Sequence, residues 1–420
     1  MYVVYEVLLY LVLVLATPWF LFTGVLRGKY LRNFPERLGR YRTARARHDL
    51  WIHAVSVGET LAARPVVLEI LRQRPETSIV FTTTTLTGQA QARRLFPDAS
   101  VTYFPFDFAF SVRRFLDHHE PRVFATMETE IWPNVTRLAR ARGLRLILAN
   151  GRISDRSFPR YRAMRFVLKR ILRHYDRVLA REETDRERFA AIGAPASIVE
   201  TSGNVKFDFE PDATPLEIAP RLEALIAGRK VVVLGSTMEG EDEALLPELE
   251  RFIAGHNAFV VIAPRKPERF EVVAALLGTT SLRFVRRSEL EAFGGEADVL
   301  LLDTFGELAR MYSYATAAFV GGSLVPIGGH NPIEPAAAGV PVCFGRHMSN
   351  FREIAQVFLR NEAAAEVADA PAVLAFVRRM FEDDAQQRAW GERGRQTVLQ
   401  NRGASERTAR RIVELIDAPR

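Results

Sequence analysis

The sequence predicts an α/β protein built from two Rossmann-like domains facing a cleft, and three observations carry that reading. With 420 residues, 48% of them hydrophobic, the chain has apolar material for two cores and exceeds a comfortable single one. Short β-rich runs alternate with helix-compatible stretches, the pattern of parallel strands joined by right-handed crossovers. The alternation comes in two series, separated by the proline- and acid-bearing stretch KFDFEPDATPLEIAP at 206–220.

The first element is apolar. VLLYLVLVLATPWFLFTGVL at 7–26 is a run of twenty uncharged residues, which matches the thickness of a bilayer core. Only Glu6 is charged before it and basic residues follow it, the reverse of a signal peptide. The expectation is an N-terminal membrane anchor helix at 1–26, single-pass, with Pro18 and Trp19 leaving a monotopic alternative. Residues 27–49 form a basic segment, in which Arg27, Lys29, Arg32, Arg37, Arg40, Arg42, Arg45 and Arg47 face only Glu36 and Asp49. The positive-inside rule then places the rest of the chain in the cytoplasm, and the same basic segment suits anionic lipid headgroups or an anionic lipid substrate as partners.

The first α/β series, at 50–205, contains WIHAV (51–55), SIVFTTTT (78–85), VTYFP (101–105), RVFATME (122–128), RLILAN (145–150) and RVLA (177–180). A linker at 206–229 leads to the second domain, 230–420. Its strand candidates are KVVVLGST (230–237), AFVVIAPR (258–265), LRFVRR (282–287), DVLLLDT (298–304), AAFVGGS (317–323) and PVCFG (341–345), followed by a helical tail. Open parallel sheets bind ligands beyond the carboxyl ends of their strands, so those ends are where chemistry is sought.

Composition narrows the classes. A balance of 57 basic to 50 acidic residues, net +7, suits an anionic partner of unspecified kind. The single cysteine, Cys343, excludes an intrachain disulfide and a cysteine zinc site and agrees with a reducing compartment. Eight scattered histidines without HExxH give no metal site. GxGxxG is absent after the first strand, and so is a P-loop, which disfavours dehydrogenase and P-loop ATPase readings. No feature calls for a nucleic-acid partner or for a cofactor.

In AVSVGET (54–60), Ser56 and Gly58 permit a tight strand-to-helix turn that presents Glu59. Acids are common at helix starts, so locally Glu59 reads first as a helix-start residue and second as a catalyst. ATMETEIWPN (125–134) adds a second acidic strand end, where Glu128 and Glu130 share a face only if the strand continues. SGNVKFD (202–208) offers Lys206 as a counter-ion to phosphate or as a solvated linker lysine. APRKPERF (263–270) puts Arg265 at a strand end, suited to clamp an anion. GGSLVPIGGHNPIEPAAAG (321–339) packs glycines before a helix start carrying His330, Asn331 and Glu334. There, helix capping competes with donation to a ligand.

Taken together with NGRISDRS (150–157) and GRHMSNF (345–351), these motifs resemble the 3-deoxy-D-manno-octulosonic acid (Kdo) transferases along nearly the whole chain. The resemblance implies a GT-B glycosyltransferase that transfers Kdo from CMP-Kdo to a phosphorylated lipid A precursor, lipid IV(A), with inversion, at the cytoplasmic face of the inner membrane and among its lipids. It implies Glu59 as general base and Glu130 as a further active-site carboxylate, with Glu128 as the alternative. Lys206, Arg265, His330, Asn331 and Glu334 fall in the donor-site motifs, and neither metal nor cofactor is called for. A different membrane-associated glycosyltransferase using another nucleotide sugar is the competing reading.

Overall fold

The structure is a computed structural model describing residues 1–27, 33–210 and 214–419, with 18–27 as helical backbone. Lys29 and Arg32 of the basic segment, the Arg27 side chain, and residues 211–213 of the expected linker lie outside the described residues. The chain forms two units, Met1–Asp208 with Arg402–Arg420, and Phe209–Asn401.

The first unit is a seven-stranded parallel sheet. Its strands are β1 (Leu50–His53), β2 (Ile79–Thr83), β3 (Ser100–Tyr103), β4 (Val123–Met127), β5 (Arg145–Gly151), β6 (Arg177–Ala180) and β7 (Val199–Thr201), in the order β3-β2-β1-β4-β5-β6-β7. Central strands such as β2 and β4 are buried at every position, because helices cover both faces and leave no polar side to alternate with. On one face Trp51 packs against Phe124, ring centroids 4.1 Å apart, and its indole N–H donates to Thr82 Oγ1. On the other face Ile52, Val66 and Ile70 form a core with Ala409, Ile412 and Ile416 of the last helix, Ala404–Asp417.

The second unit repeats the plan with β8 (Lys230–Thr237), β9 (Ala258–Pro264), β10 (Phe284–Arg286), β11 (Val299–Leu301), β12 (Ala317–Val320), β13 (Val342–Gly345) and β14 (Ala364–Val367). These are ordered β10-β11-β9-β8-β12-β13-β14, again all parallel. Strand order reverses direction beside β1 in the first sheet and beside β8 in the second, so successive loops part there and leave a crevice at the carboxyl edge. Two strands were not expected from sequence, β7 and β14. Both are short edge strands, VET and AAEV, with exposed or half-buried positions that break an apolar run.

The N-terminal expectation is corrected. Residues Tyr2–Arg27 do form a helix, yet among the described residues no helix is long and apolar enough to cross a membrane. The anchor helix, and the inner-membrane placement that rested on it, are not supported. The helix instead spends its polar groups on the first unit. Tyr5 donates to Asp107, which also accepts the N–H groups of Asn134 and Val135 at the start of helix Pro133–Ala141. The Glu6 carboxylate accepts the N–H of Ala109, the first residue of helix Ala109–His119, and an N–H of the Asn134 amide. Tyr10 packs on Phe108 with centroids 5.2 Å apart. Val3, Val4, Val7, Leu8, Leu11, Val12, Val14 and Leu15 remain exposed.

Glu6 thus acts as a helix cap supplied from a distant part of the chain. Glu6→Ala leaves two donors without their acceptor and should lower stability by about 1–3 kcal/mol in urea unfolding. A loss of only a few tenths would show that this docking is not stabilising.

Candidate active site

In the first unit the chemistry collects where β1 and β4 end. Ser56 caps helix Val57–Gln73 by position, with extended backbone and no side-chain cap of its own. Glu59 reaches back from the first turn instead, accepting the Val55 N–H at 2.8 Å and the Ser56 hydroxyl at 3.3 Å. Its donors are neutral. Burial pushes the Glu59 carboxyl up to about 7 against the bond from Val55, and the charges of Glu128 and Glu130 push the same way.

Glu128 meets the opposite fate. β4 ends at Met127, and Glu128 already sits in left-handed backbone, φ 58°, so the turn begins at Glu128 itself and the shared strand face with Glu130 is lost. Its amide donates to Ala149 O at 2.8 Å, and its carboxylate is paired with the buried guanidinium of Arg181. Burial disfavours the charge, but Arg181, Lys206 and Arg152 more than offset it and hold Glu128 below the usual range. Glu130 is raised by burial and by Glu128.

Arg181 follows β6 and also donates through Nε to Asn150 O. Asn150, in left-handed backbone at φ 55°, accepts the Val205 N–H with its side chain, which fixes the short helix Val205–Asp208 that carries Lys206. Glu59, Glu128, Glu130 and Lys206 therefore gather in one unit. Arg181 and the role of Asn150 were not foreseen. Arg181 lies in LAREET with no local mark separating it from the chain's many surface arginines.

In the second unit the crevice lies at β8 and β12. Gly321 has no room for a side chain, since a Cβ there would sit 2.5 Å from Ser236 O. The following loop is held by Glu241, at the start of helix Glu241–Gly255. Its buried carboxylate accepts N–H groups from Met238, Gly322, Ser323 and Leu324 at 2.6–3.0 Å. The acid-rich MEGEDE after a strand run marks a helix start, but its partners eighty residues on leave no trace in sequence.

The His330 ring packs against Gly322, and among the described residues its buried Nε2 has no hydrogen-bond partner. Burial and the charge of Arg265 bring the imidazole down to about 4, so it is neutral. Asn331 accepts the Ile333 N–H at 3.1 Å and donates to Glu334 at 3.1 Å, which ties the loop to the start of helix Ile333–Ala337, whose N-cap position is Pro332. Glu334 is raised by burial, opposed by that bond and by Arg265. Arg265 leaves the end of β9 exposed, its amide tied to Thr237 O at 3.0 Å. Arg265, His330, Asn331 and Glu334 come together in this unit, whereas Lys206 belongs to the first.

Two parallel sheets with polar side chains at the carboxyl ends beside each switch point define a GT-B-like protein of two Rossmann-type units. A domain model described as 3-deoxy-D-manno-octulosonic-acid transferase (kdotransferase) matches residues 32–209. The chain is 35% identical to a 3-deoxy-D-manno-octulosonic acid transferase of Haemophilus influenzae over 92% of each chain. It is 37% identical to the Bordetella pertussis enzyme of the same name over 91% of each. This chain belongs to the 3-deoxy-D-manno-octulosonic acid transferase family. The crystal structure of a UDP-GlcNAc 2-epimerase from Neisseria meningitidis covers 88% of this chain and 99% of its own, with TM-score 0.57 at 12% identity, a likeness of fold alone.

The elevated Glu59 has a consequence for stability. Between the ordinary carboxyl value of 4.5 and about 7, the folded protein keeps a proton that the unfolded chain has released. Rising pH therefore costs stability across that window. Glu59→Gln cannot lose that proton, so its melting temperature relative to wild type should climb from pH 4.5 to 7 and stay flat above. A pH-independent difference would show that Glu59 is not raised.

Proposed function

We propose that this chain transfers Kdo from CMP-Kdo to a hydroxyl of a phosphorylated lipid A precursor, lipid IV(A), with inversion at the anomeric carbon. The observation that carries the mechanism is Glu59, a carboxyl raised toward neutrality at a strand end beside a carboxylate that Arg181 keeps charged. A general base works best when its pKa lies near the working pH. Glu59 takes the acceptor proton as the acceptor oxygen bonds to the anomeric carbon. The bond from that carbon to the CMP phosphate oxygen breaks, and its electron pair leaves with CMP.

The second unit binds the donor. Arg265 offsets the charge that develops on the departing phosphate, neutral His330 offers its unpartnered Nε2, and Asn331 and Glu334 shape the same pocket. Lys206 adds positive charge beside Glu128 in the first unit, and Glu130 is an additional active-site carboxylate there. The acceptor's acyl chains meet apolar residues that the N-terminal helix leaves exposed, among them Val7, Leu11 and Leu15.

The test weighs the lipid product after incubation with lipid IV(A) and either CMP-Kdo or a UDP-sugar. A mass gain of Kdo only with CMP-Kdo is expected, and transfer only from the UDP-sugar would overturn the reading. Glu59→Gln should cut turnover at least a hundredfold while leaving CMP binding within about twofold, the scale of a lost general base. Arg265→Ala should chiefly weaken the donor side, raising KM for CMP-Kdo. Wild-type kinetics in either variant would remove that residue from its role.

A further inference from the structure

We infer that Phe305 is the stacking platform for the pyrimidine base of the donor nucleotide, an inference that rests on the proposed donor role of the second unit. Single exposed apolar residues are ordinary on protein surfaces, so the case depends on how this one is held. Phe305 is 63% exposed in the loop that follows β11, and the polar residues around it are spent on fixing that loop. Asp303 accepts the N–H of Ser288 at 2.9 Å and its hydroxyl at 2.6 Å. Glu307 is paired with Arg287 at 2.9 Å, both half-buried or better, and also accepts the Thr304 hydroxyl. The amide of Leu302 is bonded to Ile262 O at 2.8 Å. A fixed loop presents the ring with little ordering entropy left to lose on binding.

The position is equally specific. Leu301 of β11 lies opposite Ile262 of β9, so the loops carrying Phe305 and Arg265 leave neighbouring strands on the same carboxyl edge. Phe270 leans on Phe305 with ring centroids 5.8 Å apart at 49°, supporting it from one side. A nucleoside monophosphate needs a cation for its phosphate and an apolar plane for its base. Arg265 supplies the first and Phe305 the second.

The experiment measures CMP, UMP and ribose 5-phosphate binding to the full chain by calorimetry, for wild type, Phe305→Ala and Phe305→Trp. Loss of one base stack should weaken CMP about tenfold in Phe305→Ala, leave ribose 5-phosphate within twofold, and be restored by Phe305→Trp. CMP binding within twofold of wild type in Phe305→Ala overturns the inference, as does an equal loss of ribose 5-phosphate. Failure of the donor reading gives a different pattern, in which wild type prefers UMP to CMP while UMP binding still depends on Phe305.

Discussion

Parallel pairing is the constraint on which everything else depends. A chain that pairs only in parallel must return through a crossover after every strand, and it must then deliver every strand's carboxyl end to one edge. Residues that are remote in sequence thereby become neighbours without any motif linking them. Glu59 follows β1, Glu128 follows β4, Arg181 follows β6 and Lys206 follows β7. In the second unit Glu241 follows β8, Arg265 follows β9, and the His330 to Glu334 segment follows β12.

Within that frame, the type of donor decides what a carboxyl does. Glu128 and Glu59 are the same residue at ends of adjacent strands, yet their protonation separates. Glu128 is bound by a guanidinium, and a buried pair of this kind survives only if its remaining donors are also satisfied. Arg181 meets that condition through the Asn150 carbonyl. Glu59 has an amide and a hydroxyl, both neutral, and lies near a carboxylate that does not give up its charge. Glu241 is a third case. Four backbone donors surround it and its carboxyl is still raised by burial, so its work is to hold the loop at Gly322.

The central strands were legible because burial on both faces writes itself as continuous apolar runs, as in WIHAV and KVVVLGST. Edge strands β7 and β14 were not, because burial on fewer sides leaves no such run. At the site, Arg265 stands directly beyond a strand and so draws attention from sequence, whereas Glu59, in the first turn of the following helix, reads locally as an ordinary helix-start acid. Arg181 and Glu241 were not legible, since what singles them out is a partner far away. The N-terminal segment misled for a related reason. Hydropathy reads what the side chains of 7–26 are, but not that Tyr5 and Glu6 are bonded to the first unit.

The same limit applies to the end of the chain. The path leaves the first unit after Asp208 and re-enters it at Arg402. Asp208 joins the two crossings, accepting the N–H groups of Gly403 and Ser405 at 2.6 and 2.5 Å and so capping the last helix. That helix then supplies Ala404, Ala409, Ile412 and Ile416 to the core beneath β1. A buried isoleucine contributes roughly 1.5–3 kcal/mol and an alanine methyl roughly 0.8 kcal/mol, against a net stability of order 5–15 kcal/mol for a domain. The first unit therefore cannot complete its core on the strength of its first 208 residues. Its core is complete only with the last helix, although Glu59, Glu128 and Arg181 all lie within the first 208 residues.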